Sequence, residues 1–187
     1  PPEWNVINGK WSVKNAEFAE LSDEYVENGF WACAGDENWK NYIFQSELRA
    51  DDSLGKLMMG FYWKDINNHY EAEYENQSSG LTVLRINKII NGKKYLIKNI
   101  SSSESPDLPV LGIGKNAVKV KVEVSNGAIN LYLNDRIVIS CADNSIASGK
   151  IAIGASQRKA FFSNIKVTSA PHSPLPGLGK EIKTLEI

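Results

Sequence analysis

Three glutamates that alternate along one stretch of the chain are the residues best suited to carry chemistry. The sequence over 69–75 reads His-Tyr-Glu-Ala-Glu-Tyr-Glu. Alternate side chains of a β-strand point to opposite faces, so Glu71, Glu73 and Glu75 would share one face. Carboxylates grouped in this way can act as nucleophile and acid/base on a glycosidic bond, or can accept hydrogen bonds from sugar hydroxyls.

Two neighbouring strands are expected to add side chains to the face that carries the glutamates. The stretch 55–64 precedes the glutamate strand and the stretch 81–86 follows it. We interpret the outward residues of the three strands as a saccharide-binding surface, with an aromatic ring for stacking and charged groups that bind hydroxyls. These residues are Tyr62, Lys64, Glu71, Glu73 and Arg85. The same pattern also fits a solvated sheet face whose cross-strand ion pairs contribute little.

Three of the five tryptophans are core candidates, and Trp31 and Trp63 are left uncertain between the core and the surface. Trp4, Trp11 and Trp39 are predicted to lie in the core, because a buried indole removes a large apolar area from water. Trp31 belongs to the run Phe-Trp-Ala-Cys-Ala, which is apolar on both parities. We predict Trp31 as an exposed aromatic that stacks on the saccharide.

The elements that must position these residues are almost all strands. About a dozen short runs of β-branched and aromatic residues are separated by turn signals, among them Asn-Gly at 91–92 and 126–127. The stretch 55–64 is apolar on both parities, which predicts a central strand covered on both faces. Because no amphipathic helix interrupts these runs, the sequence predicts an all-β sandwich of two antiparallel sheets.

Six short motifs in a fixed order resemble the bacterial laminin-G-like branch of the concanavalin A-like jelly rolls. They lie at Trp4–Val13, Trp39–Tyr42, Gly60–Tyr70, Asn91–Gly92, Lys121–Val124 and Leu131–Arg136, and the closing run Phe161–Val167 resembles the C-terminal signature of the same family. The resemblance covers nearly all of residues 1–169 and implies the jelly-roll fold. It also implies a place in the superfamily that contains carbohydrate-binding modules and 3-keto-glycoside hydrolases.

Three functions are compatible with this resemblance. The first, which we favour, is a non-catalytic carbohydrate-binding module that recognises a polysaccharide or oligosaccharide on the concave sheet or edge loops. The second is a glycoside hydrolase, because laminarinase-type enzymes of this fold class carry Glu-x-Asp-x-(x)-Glu on a concave strand. Here the middle residue is Glu73, and the aromatic that flanks that motif is absent. The third is an adhesion or scaffold domain that binds protein through the loop 101–109.

A cofactor is not expected from these residues. The closing motif of the resembled family usually reads Phe-Asp-Asn-Val, and related sandwiches use an acidic residue near it to hold structural calcium. Here Ser163 stands at that position, and a hydroxyl is a poor ligand for Ca²⁺ compared with a carboxylate. Asp36, Asp107 and Asp143 are alternative calcium ligands among which the sequence does not choose. The metal content therefore stays open.

Composition and cysteine content bear on the kind of partner and on the state of the thiols. The 187 residues carry 21 Lys and Arg against 22 Asp and Glu, so no basic balance favours nucleic acid. No apolar segment is long enough to span a bilayer. Cys33 and Cys141 are predicted to be buried thiols, with a disulfide as the alternative.

Composition also divides the chain into two parts. Residues 1–169 form the predicted laminin-G-like domain. Residues 170–187, rich in Pro and Gly, form a predicted linker and tail. We expect a module tethered to other domains of a secreted protein, located outside the cell or on its surface.

Overall fold

The strands follow the turn signals closely in the computed structural model, which describes residues 4–22, 24–51, 54–109 and 116–170. These residues form fourteen strands and no helix. The strands are β1 (Asn5–Val6), β2 (Trp11–Lys14), β3 (Glu17–Glu20), β4 (Phe30–Ala34), β5 (Tyr42–Ala50), β6 (Gly55–Asp65), β7 (Asn68–Asn76), β8 (Thr82–Ile90), β9 (Lys93–Ser101), β10 (Val118–Ser125), β11 (Ala128–Leu133), β12 (Arg136–Ala142), β13 (Lys150–Ser156) and β14 (Ala160–Ser169).

The strands form two antiparallel sheets of seven strands each, so the predicted fold class is confirmed. Sheet I has the order β1-β4-β13-β6-β7-β8-β9, and sheet II has the order β12-β11-β10-β5-β14-β3-β2. Within each sheet, many neighbours are distant along the chain, as in a jelly roll. The Asn91-Gly92 turn joins β8 to β9 with Ile90 opposite Lys93.

The main core lies between the two sheets, as the alternation of apolar residues requires. Strands β5 and β10 alternate strictly between buried and half-buried side chains, since only one face of sheet II meets sheet I. From β7, Tyr70, Ala72 and Tyr74 point into this core, as predicted. Trp4, Trp11 and Trp39 are partly buried and pack against its margin.

Strand β6 is covered on both faces, which confirms its predicted central position. One face contributes Leu57, Met59 and Phe61 to the main core, and the other packs Met58 and Trp63 into a second, smaller apolar cluster. The pairing of β6 with β7 is interrupted by a bulge between Phe61 and Asp65.

The bulge reverses the faces of two aromatic residues. Tyr62 adopts a positive φ of 47°, and its ring turns into the main core while Trp63 turns outward. Gly149 lies directly against the bulge, since a Cβ on Gly149 would fall 2.2 Å from the carbonyl carbon of Tyr62. Only glycine allows the two backbones to approach so closely.

Three further predictions concern the cysteines, a membrane-spanning segment and the C-terminal tail. Cys33 is buried in sheet I, Cys141 is half-buried in sheet II, and both are free thiols. The described part of the chain contains no helix that could cross a membrane. Apart from Ala170, the predicted linker and tail lie outside the described residues.

Candidate functional site

The outer face of sheet I, which points away from sheet II, carries a group of buried aromatic rings. We call Trp31, Trp63 and His69 the aromatic cluster. The His69 ring stacks on Trp63 with centroids 4.1 Å apart, and Trp31 meets His69 edge-on at 5.5 Å. All three rings are at most 2% exposed. These rings are therefore buried in the outer face of sheet I and do not offer an open surface on which a ligand could stack.

The neighbouring chain segments explain why the aromatic cluster is closed to solvent. The Trp31 indole N–H donates to the backbone carbonyl of Asn28, 2.5 Å away. Gly29 lies close to Met58, whose terminal methyl is 2.5 Å from the position that a Cβ on Gly29 would take. Ile66 packs against the same apolar group. The segment before β4 thus covers the indole that the sequence pattern leaves exposed.

Beside the aromatic cluster, three carboxylates of β7 meet cations from two other strands. We call Glu71, Glu73, Glu75, Arg85 and Lys94 the ion-pair cluster. Lys94 Nζ bridges Glu71 Oε1 at 2.6 Å and Glu73 Oε2 at 3.1 Å. Arg85 Nη1 bridges Glu73 Oε1 at 2.5 Å and Glu75 Oε2 at 2.6 Å. Acidic and basic groups therefore alternate along one continuous row.

Two further side chains contact the buried carboxylates. Asn87 on β8 donates from Nδ2 to Glu71 Oε1 at 3.0 Å. Lys56 on β6 approaches Glu73 Oε2 at 3.5 Å. Glu71 and Glu73 are only 2% and 3% exposed, and burying a charge is costly unless partners of this kind compensate it.

The partners of these carboxylates determine their ionisation. Burial raises the pKa of Glu71, but the neighbouring His69 and Lys94 outweigh burial and lower this pKa to about 2. For Glu75, burial is outweighed by Arg85 and Gln77, and its pKa is also lowered. Burial tends to lower the pKa of Lys94, yet Glu71 and Glu73 raise it overall. At neutral pH, Glu71, Glu75 and Lys94 are therefore all charged.

The accessible part of the ion-pair cluster is its row of cations and one carboxylate. The side chain of Lys94 is 39% exposed, and those of Arg85 and Glu75 are 23% and 20% exposed. A molecule that approaches this face meets fixed donors first and the buried carboxylates beneath them. Fixed charged groups of both signs can bind hydroxyls, which donate and accept hydrogen bonds.

The structure brings together three of the six predicted binding residues. Glu71, Glu73 and Arg85 lie on one face. Arg85 pairs with Glu73 across the two strands, and Lys94 links Glu73 to Glu71. The prediction that Tyr62 faces outward is wrong, because the bulge turns its ring into the main core, where it is 3% exposed.

Lys64 and Trp31 also depart from the predicted surface. Lys64 is exposed beyond the bulge, and its Nζ donates to the carbonyl of Glu37 and to Ser148 Oγ rather than meeting the glutamates. The prediction that Trp31 is exposed is wrong, because its indole is fully buried.

Four residues of this face were missed by sequence reasoning, although two of them carried a usable signal. His69 shares the parity of Glu71, and the tight Asn91-Gly92 turn sets Lys94 opposite Ile89 on β8. Asn87 lies opposite Glu71 in the regular register of β7 and β8, but it follows the predicted end of that strand at residue 86. Trp63 lies on this face because the β6 bulge interrupts the alternation that would otherwise place it on the same side as Phe61.

The predicted calcium ligands do not converge. Asp143 Oδ2 binds Lys88 Nζ at 2.7 Å, and Asp107 pairs with Arg136 at 3.4 Å. Ser163 lies at an irregularity of β14, where its carbonyl accepts a hydrogen bond from Ser46 Oγ. Within the described ranges, no group of three or more His, Cys, Asp or Glu side chains could hold a metal ion.

A groove of about 570 Å³ lies on the outer face of sheet II. It is lined by Glu17, Glu47, Arg49, Asp51, Ala117, Phe161 and Ser163. The guanidinium of Arg49 lies 3.8 Å above the Phe161 ring and is paired with Glu17. Arg49 therefore occupies the aromatic surface that a ligand would need.

Comparison with solved structures identifies the same architecture in proteins of low sequence identity. Carbohydrate-binding module CBM66 from Bacillus subtilis is 19% identical, with a TM-score of 0.72 over 88% of this chain and 94% of that one. A Bacillus subtilis protein of unknown function with a galectin-like fold is 12% identical, with a TM-score of 0.67 over 88% of each chain.

One matched protein contains the same fold as part of a longer chain. The GH43 BlXynB protein from Bacillus licheniformis is 9% identical, with a TM-score of 0.62 over 86% of this chain but 35% of that one. No protein-family model matches the chain, and no curated protein sequence matches it either. At these identities the structural matches establish the fold, and function has to be argued from the site.

Proposed function

We propose that this protein is a non-catalytic carbohydrate-binding module that recognises saccharide through the outer face of sheet I. The observation that carries the proposal is the pair of buried carboxylates, Glu71 and Glu73, held on a sheet face by Lys94 and Arg85. A surface ion pair needs no such burial, and an unused buried charge is a cost to stability. A buried charge that reduces stability in this way is typical of residues that function in binding.

The chemistry of the ion-pair cluster suits a polyhydroxylated molecule. Each sugar hydroxyl can donate to a carboxylate oxygen of Glu73 or Glu75 while it accepts from Arg85 or Lys94. Because the ion pairs already fix these side chains, little conformational entropy is lost when a saccharide binds. The similarity to CBM66, a carbohydrate-binding module by name, supports the same function.

We further propose that the module belongs to a secreted, modular glycan-active protein, tethered outside the cell or at its surface. The Pro- and Gly-rich sequence after residue 170 supports this arrangement, because such sequences commonly separate domains.

The test is a glycan array followed by calorimetric titration of the saccharides that bind. The informative variants are Glu73→Gln and Arg85→Lys, which change the side-chain volume little. Glu73→Gln removes a charge, and Arg85→Lys keeps the charge but removes the forked guanidinium. Each is expected to weaken binding about tenfold, which is the effect of losing one charge-assisted hydrogen bond. Circular dichroism and thermal melting confirm that the variants fold.

The matched control is Arg49→Lys in the groove of sheet II, where the same substitution removes the same forked geometry from the opposite face. This variant is expected to bind saccharide like the parent. If Arg49→Lys loses binding and Arg85→Lys does not, the site is the groove of sheet II. If the parent protein binds no saccharide on the array, the proposed function is rejected, and a protein partner becomes the next hypothesis.

A further inference from the structure

His69 is the buried titratable side chain whose hydrogen bonding is incomplete. Its Nδ1 lies 3.0 Å from the backbone carbonyl oxygen of Asp65. A carbonyl oxygen only accepts hydrogen bonds, so Nδ1 carries a proton in every ionisation state of the ring. The other nitrogen, Nε2, is buried and has no hydrogen-bond partner among the described residues.

The group that faces this nitrogen is a carboxylate. His69 Nε2 lies 3.8 Å from Glu71 Oε2, while the other Glu71 oxygen is occupied by Lys94 and Asn87. In the neutral ring, Nε2 would be a bare acceptor opposite a second acceptor. In the protonated ring, Nε2 becomes a donor that faces a carboxylate.

We propose that His69 Nε2 and Glu71 Oε2 form a subsite for one hydroxyl group of the saccharide, and that the subsite works when His69 is protonated. This inference rests on the proposed function. The gap of 3.8 Å is too wide for a direct hydrogen bond. It suits an inserted oxygen at hydrogen-bond distance from both atoms. The hydroxyl then accepts from Nε2–H and donates to Glu71, so both buried groups are satisfied.

Glu71 and Lys94, the charged groups with shifted pKa values near His69, stay charged at the pH values compared below. On its own strand, Glu71 has a pKa of about 2, and Glu73 is paired with Arg85 and Lys94. Lys94 on β9 has a raised pKa. Burial also raises the pKa of Cys33 on β4, in the apolar group around Trp31.

The subsite therefore makes saccharide binding depend on pH through the proton on His69 Nε2. Saccharide binding through a protonated Nε2 takes up a proton wherever the free ring is neutral. Affinity should then rise as the pH falls and decrease as the pH rises. The carboxylate of Asp65 is engaged elsewhere, because its Oδ1 accepts hydrogen bonds from the Asn67 N–H and the Asn68 side-chain amide.

The experiment compares three proteins at pH 5.5 and pH 8 with oligosaccharides of a β-glucan, a xylan, a pectin and a fructan as probes. The parent is expected to bind its probe about tenfold more tightly at pH 5.5. His69→Gln keeps a neutral amide donor and should bind equally at both pH values. His69→Phe keeps the ring on Trp63 without nitrogen and should bind weakly at both.

Nitrogen-15 spectra of the histidine ring provide a readout that does not depend on a saccharide. The chain has two histidines, so a His172→Asn background leaves His69 alone in the spectrum. We expect a proton on Nδ1 alone at pH 8, and protons on both nitrogens at pH 5.5 and in the saccharide complex.

The outcomes separate the subsite from the function. A proton on Nε2 and none on Nδ1 at pH 8 would overturn the subsite. The same holds if parent and His69→Gln share one pH dependence while saccharide still binds, and the proposed function then stands. If no probe binds to the parent at either pH, both proposals are rejected. If His69→Phe does not fold, His69→Gln and the spectra decide.

Discussion

The hydroxyl of Tyr42 accepts a hydrogen bond from the backbone N–H of Tyr62 at 2.8 Å, across the interface between the two sheets. Tyr42 belongs to β5 of sheet II, whereas Tyr62 is the bulged residue of β6 in sheet I. The bond satisfies a buried donor that the bulge removes from the ladder. The same bulge places Trp63 on the outer face, where it supports His69. A core contact therefore determines the shape of the candidate site.

The first prediction concerns this contact. Tyr42→Phe removes the acceptor and leaves the buried Tyr62 N–H without a partner. We expect the free energy of unfolding to fall by about 1–3 kcal/mol in urea denaturation. The control is Tyr132→Phe, which removes a hydroxyl that binds Glu123 at the surface and should change stability by less than about 0.5 kcal/mol. Equal effects of the two substitutions would show that the bulge does not depend on Tyr42.

The fold and the faces of β7 could be predicted from the sequence because both follow from local alternation. Glu71 and Glu73 are separated from the core by a strict period of two, and Arg85 lies opposite Glu73 on the next strand. A regular hairpin preserves parity, so this part of the site needs no information from distant residues.

The two positions that were predicted wrongly, those of Tyr62 and Trp31, depend on tertiary contacts that local alternation does not show. The positive φ of Tyr62 requires the small Gly149 beside it and the Tyr42 hydroxyl above it. Trp31 is buried because the segment before it folds over its indole. No local sequence pattern indicates that Tyr62 will form a bulge or that the preceding segment will cover Trp31. Alternation alone therefore assigned both residues to exposed positions.

The second prediction concerns the bridging lysine. Lys94→Met keeps the aliphatic stem and removes the charge that binds both buried glutamates. Because Glu71 keeps Asn87 but loses its closest cation, we expect a loss of about 1–3 kcal/mol in the free energy of unfolding. Thermal and urea denaturation at pH 7 measure this loss.

A double variant distinguishes an uncompensated charge from lost packing. In Lys94→Met combined with Glu71→Gln, no carboxylate is left without its cation, so the second substitution should cost less than it does in the parent. Additive losses would contradict a direct coupling between the two side chains.

The third prediction concerns acid stability. The pKa of Glu71 is lowered from an ordinary value of 4.5 to about 2, since His69 and Lys94 outweigh the effect of burial. A depressed pKa contributes stability above pH 4.5 that disappears as the pH falls towards 2, on the order of 3 kcal/mol. Urea denaturation between pH 6 and pH 2.5 should show a steeper acid loss for the parent than for Glu71→Gln. Parallel curves would rule out this contribution of Glu71.

The last prediction concerns the alternative of a glycoside hydrolase. A retaining or inverting mechanism needs one carboxylic acid that is protonated near neutral pH, which requires a raised pKa. Glu71 and Glu75 have lowered pKa values, and the row Glu71–Lys94–Glu73–Arg85–Glu75 pairs each carboxylate with a cation. Purified protein is therefore expected to release no reducing sugar from β-glucans, xylans, pectins or fructans over the pH range 4–8. Release that disappears in both Glu71→Gln and Glu73→Gln, with folding intact, would instead make these carboxylates the catalytic pair.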